Sequence, residues 1–192
     1  MWLWWIACSV SVPEPEPPPE WRLQLEQWKH PQSLPDLPLV DQDGAAFSLG
    51  SLRDRWVLVG FIFTRCEKAT ACPLTMAQQA GVQQSWTSAD PALSLLTLTI
   101  DPEYDTPERL RAYGERFGAD FSTWTLATGD PELMTTGLPS LFNILALPSD
   151  GGFDHTVKLA LLRPGLLLER EWKDGEFTVA SLRETMAKAS PK

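Results

Sequence analysis

Cationic side chains, cysteine and histidine are the scarce groups in this chain of 192 residues. Lys and Arg total 16 against 25 Asp and Glu, for a formal net charge of −9. An acidic surface argues against nucleic acid, or the anionic face of a membrane, as the main partner. It suits a cation or a basic protein, and ordinary solubility explains it equally well. There are three cysteines (Cys8, Cys66, Cys72) and two histidines (His30, His155). Thiol or soft-metal chemistry has to be assembled from those few side chains. The apolar opening MWLWWIAC is too short to span a bilayer and lacks the basic segment that begins a complete signal peptide. Nothing marks a dedicated peroxide-binding pocket, so peroxidase chemistry ranks behind the readings below.

What is present is a globular composition, 43% hydrophobic and 21% charged. Once an N-terminal tail is set aside, it supports one domain of roughly 160 residues. The stretch WVLVGFIFTRCEKATACPLT, residues 56–75, organises the rest. An unbroken apolar run from Trp56 to Phe63, rich in Val, Ile and Phe, reads as a strand buried on both faces of a parallel sheet. Pro73 suits the first turn of a helix. The reading is strand, cysteine-bearing loop, helix, with Cys72 at the helix N-cap and Cys66 just past the carboxyl end of the strand, where open α/β sheets build their sites. Residues six apart on one helix point to different faces. The two cysteines therefore meet only if residues 67–71, EKATA, fold back. A helix N-terminus favours thiolate, so Cys72 is expected to have a lowered pKa. The residues alone leave open a redox pair, a soft-metal site and two buried structural cysteines.

Taken in order, Ile6-Ala7-Cys8 resembles the end of a bacterial lipoprotein signal, whose cysteine is lipidated; Trp5 stands where an aliphatic residue is usual. The alternative is an apolar tip with no role. SVSVPEPEPPPE then reads as an extended tether. Residues 1–33 are assigned to this segment and residues 34–192 to the folded domain. Trp21, Leu23, Leu25 and Trp28 make 21–33 weakly amphipathic, and His30 falls in a surface turn before Pro31. A hairpin turns at Asp41-Gln42-Asp43-Gly44. After the cysteine loop a helix runs from Pro73 to about Trp86. LSLLTLTI, residues 93–100, is the second central strand. Thr106 caps a helix that carries Leu110, Tyr113 and Phe117 inward and ends at Gly118. Asp101 and Asp105 sit at the same sheet edge as Cys66, where they orient a site residue or hold loop backbone. A strand at Trp124 and a helix capped by Asp130 follow; residues 138–152 read as helix fragment and loop. Strands 156–162 and 166–172 flank a type II turn at Pro164-Gly165, with His155 at the mouth of the first. An amphipathic helix, 178–188, closes the chain. The order is α/β and thioredoxin-like: a central, mostly parallel sheet with flanking helices, an N-terminal hairpin, and a C-terminal β-hairpin plus helix.

LPDLPLVDQDG, VGFIFTRC…CP, TIDPEYDTPERLRAYGERFGADF with TLATGDPE, and FDHTVKLALLRPG together resemble the Sco/SenC family. That family comprises thioredoxin-like copper chaperones of cytochrome c oxidase assembly, and the resemblance runs from about residue 34 to 172. It implies copper, as Cu(I) or Cu(II), on Cys66, Cys72 and His155, with Asp101 and Asp105 ordering the ligand loop. Two thiolates and an imidazole suit soft Cu(I). The family motif CPxxCP is stretched here to five intervening residues, and Glu67 replaces its first proline.

Two functions follow from the resemblance. One is an exported chaperone on the periplasmic side of a bacterial inner membrane, tethered through its N-terminus at Cys8, that delivers copper to a cytochrome c oxidase subunit or another copper or thiol protein. It needs Cys66, Cys72 and His155. The other is a thiol–disulfide oxidoreductase, which needs only the redox-active pair Cys66 and Cys72.

Overall fold

The computed structural model describes residues 18–189 apart from 31, 67, 145, 150–151, 156–157 and 174; of 146–149 and 152–155 it describes the backbone. Cys8 and the tether up to residue 17 lie outside the described residues.

The apolar run forms β3 (Trp56–Ile62), with every residue buried. It pairs in parallel with β4 (Leu93–Thr99), in register Trp56↔Leu93 to Ile62↔Thr99, and β4 pairs in parallel with β5 (Trp124–Thr128). On one flank β1 (Pro38–Asp41) lies antiparallel to β5 and turns into β2 (Ala46–Ser48), with Gly44 at φ 78° as the turn requires. On the other, β8 (Lys158–Arg163) runs antiparallel to β3 and is followed by β9 (Leu167–Lys173). The sheet order is β2-β1-β5-β4-β3-β8-β9, a parallel centre with antiparallel margins. Three parallel strands need crossovers, supplied by α2 (Cys72–Ser85) and α3 (Pro107–Arg116). α5 (Val179–Ala189) closes the fold. This is the expected mixed α/β architecture with flanking helices.

Local chemistry explains most element ends. Thr106 accepts the Arg109 N–H at the start of α3, and Asp130 Oδ1 accepts the N–H groups of Glu132 and Leu133. Thr178 and Ser181 cap each other reciprocally ahead of α5. Gly165, at φ 92°, fits the type II turn.

Three expectations are corrected. Gly137 and Pro139, residue types expected to interrupt the helix capped by Asp130, do not: a π-helical turn (Leu133–Gly137) continues into α4 (Leu138–Leu141) with Pro139 in its first turn. Residues 20–27 fold as α1 (Glu20–Gln27), and its Trp21 packs on that π turn beside Gly137, where a Cβ would meet Leu25 Cδ1 at 2.8 Å. The stretch expected as loop after α4 holds a two-stranded ribbon, β6 (Ala146–Ser149) with β7 (Gly152–His155), in register Ala146↔His155. Strands this short fall below any periodic signal, and Pro148 is tolerated in so narrow a ribbon.

Helix α2 is pinned to the sheet by a buried amide. Gln79 Nε2 donates to the Leu58 and Leu96 carbonyls, and its Oε1 accepts from Thr97 Oγ1. The approach is close because position 60 has no side chain: a Cβ there would meet Thr75 Cγ2 at 2.7 Å and Gln79 Oε1 at 2.9 Å. Gly60→Ala is therefore expected to destabilise the fold by about 1–3 kcal/mol through overpacking. Urea unfolding measures this, and an unchanged midpoint would contradict the packing described.

Candidate functional site

The site begins where β3 ends. Thr64 and Arg65, the two residues before Cys66, are held by the turn after β4. The Asp105 carboxylate, fully buried, accepts the Thr64 N–H at 3.0 Å and the hydroxyls of Thr64 and Thr99, each at 2.5 Å. Buried Asp101 accepts Arg65 Nε at 2.6 Å. The Asp101 carbonyl accepts the Asp105 N–H at 2.8 Å, so the two aspartates belong to one tight turn. Arg65 also stacks on the Tyr104 ring, 4.9 Å from its centroid, with Arg109 at 4.0 Å. Asp105 thus holds the backbone leading into Cys66 and Asp101 holds the Arg65 side chain, and neither touches a sulfur among the described contacts. Burial pushes the Asp105 carboxyl up, against the pull of the Thr64 and Thr99 hydrogen bonds.

Cys72 and Cys66 differ sharply in environment. Ala71, not Cys72, is the N-cap of α2; Cys72 is the first helical residue, 0% exposed. The Phe63 N–H donates to its sulfur at 3.4 Å. The lowered pKa expected of a thiol at a helix start is overturned, because burial pushes the Cys72 thiol up beyond the ordinary range. The Phe63 N–H offsets this only in part, and a thiol–thiol hydrogen bond with Cys66 adds to the rise. Desolvation outweighs the helix dipole here. Cys66, by contrast, is partly exposed. The two sulfurs therefore meet despite the five residues between them in sequence.

Beside Cys66 opens a cleft of about 420 Å³, lined also by Pro73, Tyr113, Arg116 and Phe117. Tyr113, on α3, is 4% exposed, and its hydroxyl has no hydrogen-bond partner among the described residues. Burial pushes its phenol up, and the nearby charges of Cys72 and Cys66 push the same way.

His155 ends β7 instead of standing at the mouth of β8; its side chain lies outside the described residues. The register still places that ribbon. Leu159 pairs with Gly60, so the chain before β8 runs out at the carboxyl end of β3, the edge that Cys66 follows. Lys158 anchors the base: its buried ammonium donates to the Phe142 carbonyl at 2.5 Å and pairs with Glu171 at 2.9 Å, while Phe142 packs on Phe61. Among the described residues no group of three or more His, Cys, Asp or Glu could hold a metal ion. His30 is exposed, edge-on to Trp28.

The family model described as SCO1/SenC matches residues 28–189. The chain belongs to the SCO1/SenC family. A SCO1 protein homolog of Bacillus subtilis (strain 168) is 33% identical over 89 residues, 46% of this chain and 45% of that protein, so the alignment spans less than half the relative's length. A SCO1/SenC family lipoprotein from Bacillus anthracis str. Ames superposes with a TM-score of 0.75 at 23% identity, covering 83% of this chain and 95% of its own. Bradyrhizobium japonicum ScoI with copper bound gives 0.66 at 22%, covering 81% and 98%. These two likenesses establish the Sco-type thioredoxin-like fold. Among the described residues no helix is long and apolar enough to cross a membrane.

Arg116 was not singled out in the sequence, and Tyr113 stood out only as a core position. Their place beside Cys66 depends on how α3 crosses the sheet edge, which no local pattern encodes.

Asp105 offers a pH test. Its folded pKa lies above its unfolded value, so its contribution to stability is full below about pH 4. That contribution is lost as pH rises through the raised folded value. The stability advantage of the wild type over Asp105→Asn, read from urea unfolding across a pH series, should shrink as pH rises above 4. An advantage that grows with pH would mean that the three donated hydrogen bonds outweigh burial.

Proposed function

We propose that this SCO1/SenC protein carries copper on Cys66, Cys72 and His155 and delivers it to a copper site of cytochrome c oxidase or to another copper or thiol protein. The observation that carries this reading is the contact between two thiols at the end of β3, one buried and one partly exposed. Two sulfurs in contact suit a soft monovalent cation, and a neutral imidazole can complete a three-ligand set. His155 lies on a ribbon that rises from the same sheet edge. The copper-bound Bradyrhizobium relative supports the cargo, and the Bacillus anthracis lipoprotein supports a cell-envelope location with the N-terminus, Cys8 included, as tether. Copper here is cargo: the site must release it as readily as it takes it up. A partly exposed Cys66 provides the access that a receiving thiol needs.

The second reading is thiol–disulfide exchange by the same pair without metal delivery. The unequal burial of the thiols favours it: an exposed attacking sulfur with a buried resolving sulfur in contact is the arrangement exchange requires.

An anaerobic Cu(I) titration of the reduced chain against a competing chelator separates them. One-to-one binding is expected. Cys72→Ser and His155→Ala should each weaken it by more than the roughly 10- to 100-fold that loss of an outer supporting group costs. Binding indifferent to His155 would remove the histidine from the site and leave exchange as the better reading.

A further inference from the structure

We infer that the cleft beside Cys66 is a subsite for the partner, shaped for a cysteine-bearing polypeptide segment with carboxylates near its sulfur. This rests on the reading of Cys66 and Cys72 as a reactive thiol pair. Three observations carry it. The first is charge. The chain is strongly acidic, with a net charge of −9, yet the described residues lining this cleft include two arginines and no carboxylate. Arg65 is neutralised by Asp101 beneath it. Arg116 is exposed, lies 5.4 Å from the Tyr113 ring centroid, and has no carboxylate partner among the described residues; neighbouring Glu115 faces Arg111 at 3.6 Å. A guanidinium left open in this way is a carboxylate receptor.

The second observation is Tyr113. A hydroxyl buried beside two sulfurs with nothing to bond is costly, and it acquires a partner when an occupant brings an acceptor into the cleft. The third is shape. Pro73, Phe117 and the Tyr113 ring give the cleft an apolar wall, and about 420 Å³ is room for a few residues of extended chain. Cys66 lines this space and is the exposed sulfur of the pair, so a thiol or disulfide lodged there sits next to the reacting atom.

The chemistry balances as an ordinary exchange. Cys66 thiolate attacks one sulfur of a disulfide, that S–S bond breaks, and the departing thiolate takes the proton Cys66 gave up. Cys72 then attacks Cys66, closes the intramolecular disulfide and frees the second thiol, which takes the proton of Cys72. The protein pair loses two electrons and the substrate disulfide gains them; the reverse sequence reduces the protein and oxidises the partner.

The test compares two small disulfides of opposite charge, glutathione disulfide and cystamine, reacting with the reduced full chain. The rate ratio, glutathione disulfide over cystamine, is read in the wild type, Arg116→Gln and Arg116→Lys. Glu67 follows Cys66 in sequence, and its charge is common to all three. The ratio should fall roughly three- to fivefold in Arg116→Gln, recover in Arg116→Lys, and compress in the wild type at about 0.5 M salt. An equal ratio in wild type and Arg116→Gln overturns the subsite while leaving the thiol pair intact. Failure of the wild type to exchange with either disulfide overturns the thiol reading itself, and the subsite with it.

Discussion

A buried carboxylate joins the carboxyl ends of β3 and β4, and the position of Cys66 follows from it. Asp105 accepts from the backbone and hydroxyl of Thr64 on one side and from the Thr99 hydroxyl on the other. Without those acceptors the half-buried Thr64 would lose the partner of its N–H and hydroxyl, and the buried Thr99 hydroxyl at the end of β4 would have nowhere to donate, at a cost of about 1–3 kcal/mol for the buried group. Asp101 adds the Arg65 contact one residue nearer the cysteine. The turn after β4 thus works as a clamp on the loop after β3. The loop can be longer than the family pattern and still return its second cysteine to the first, because its entry is fixed by this clamp and its exit by the start of α2.

Solvation then divides the labour between the sulfurs. Cys72 lies out of water, with a backbone N–H aimed at it; Cys66 lines a cleft. A buried thiol resists ionising. Either a soft cation bound to both sulfurs or a bond between them relieves the buried thiol of this difficulty. That is why the two proposed uses, copper carriage and disulfide exchange, call on a single arrangement, and why the proposed route for a partner is through Cys66.

The strands of the seven-stranded sheet, α2, α3, α5 and the Asp41–Gly44 and Pro164–Gly165 turns were legible in the sequence, because each has a strong local cause: an apolar run, a capping threonine or serine, a proline or a glycine with positive φ. So was the place of Cys66 and Cys72 between a buried strand and the start of a helix. What escaped was set by contacts distant in sequence. The lowered pKa expected of Cys72 failed because burial depends on the whole fold and the helix dipole only on the local one. The β6–β7 ribbon escaped because four-residue strands carry no period. Trp21 looked like part of a tail because the π turn it covers, Leu133–Gly137, lies far away in the sequence. Lys158 and Gln79, buried polar anchors, carry no sequence mark of their partners.

The central claim is a three-ligand copper site made from one buried thiol, one rim thiol and the histidine of a neighbouring ribbon. X-ray absorption at the copper edge, on the reduced chain loaded with one equivalent of Cu(I), tests it most directly. The account predicts two sulfur neighbours and one imidazole nitrogen, with the nitrogen lost in His155→Ala. A first coordination sphere of sulfur alone in the wild type would contradict it.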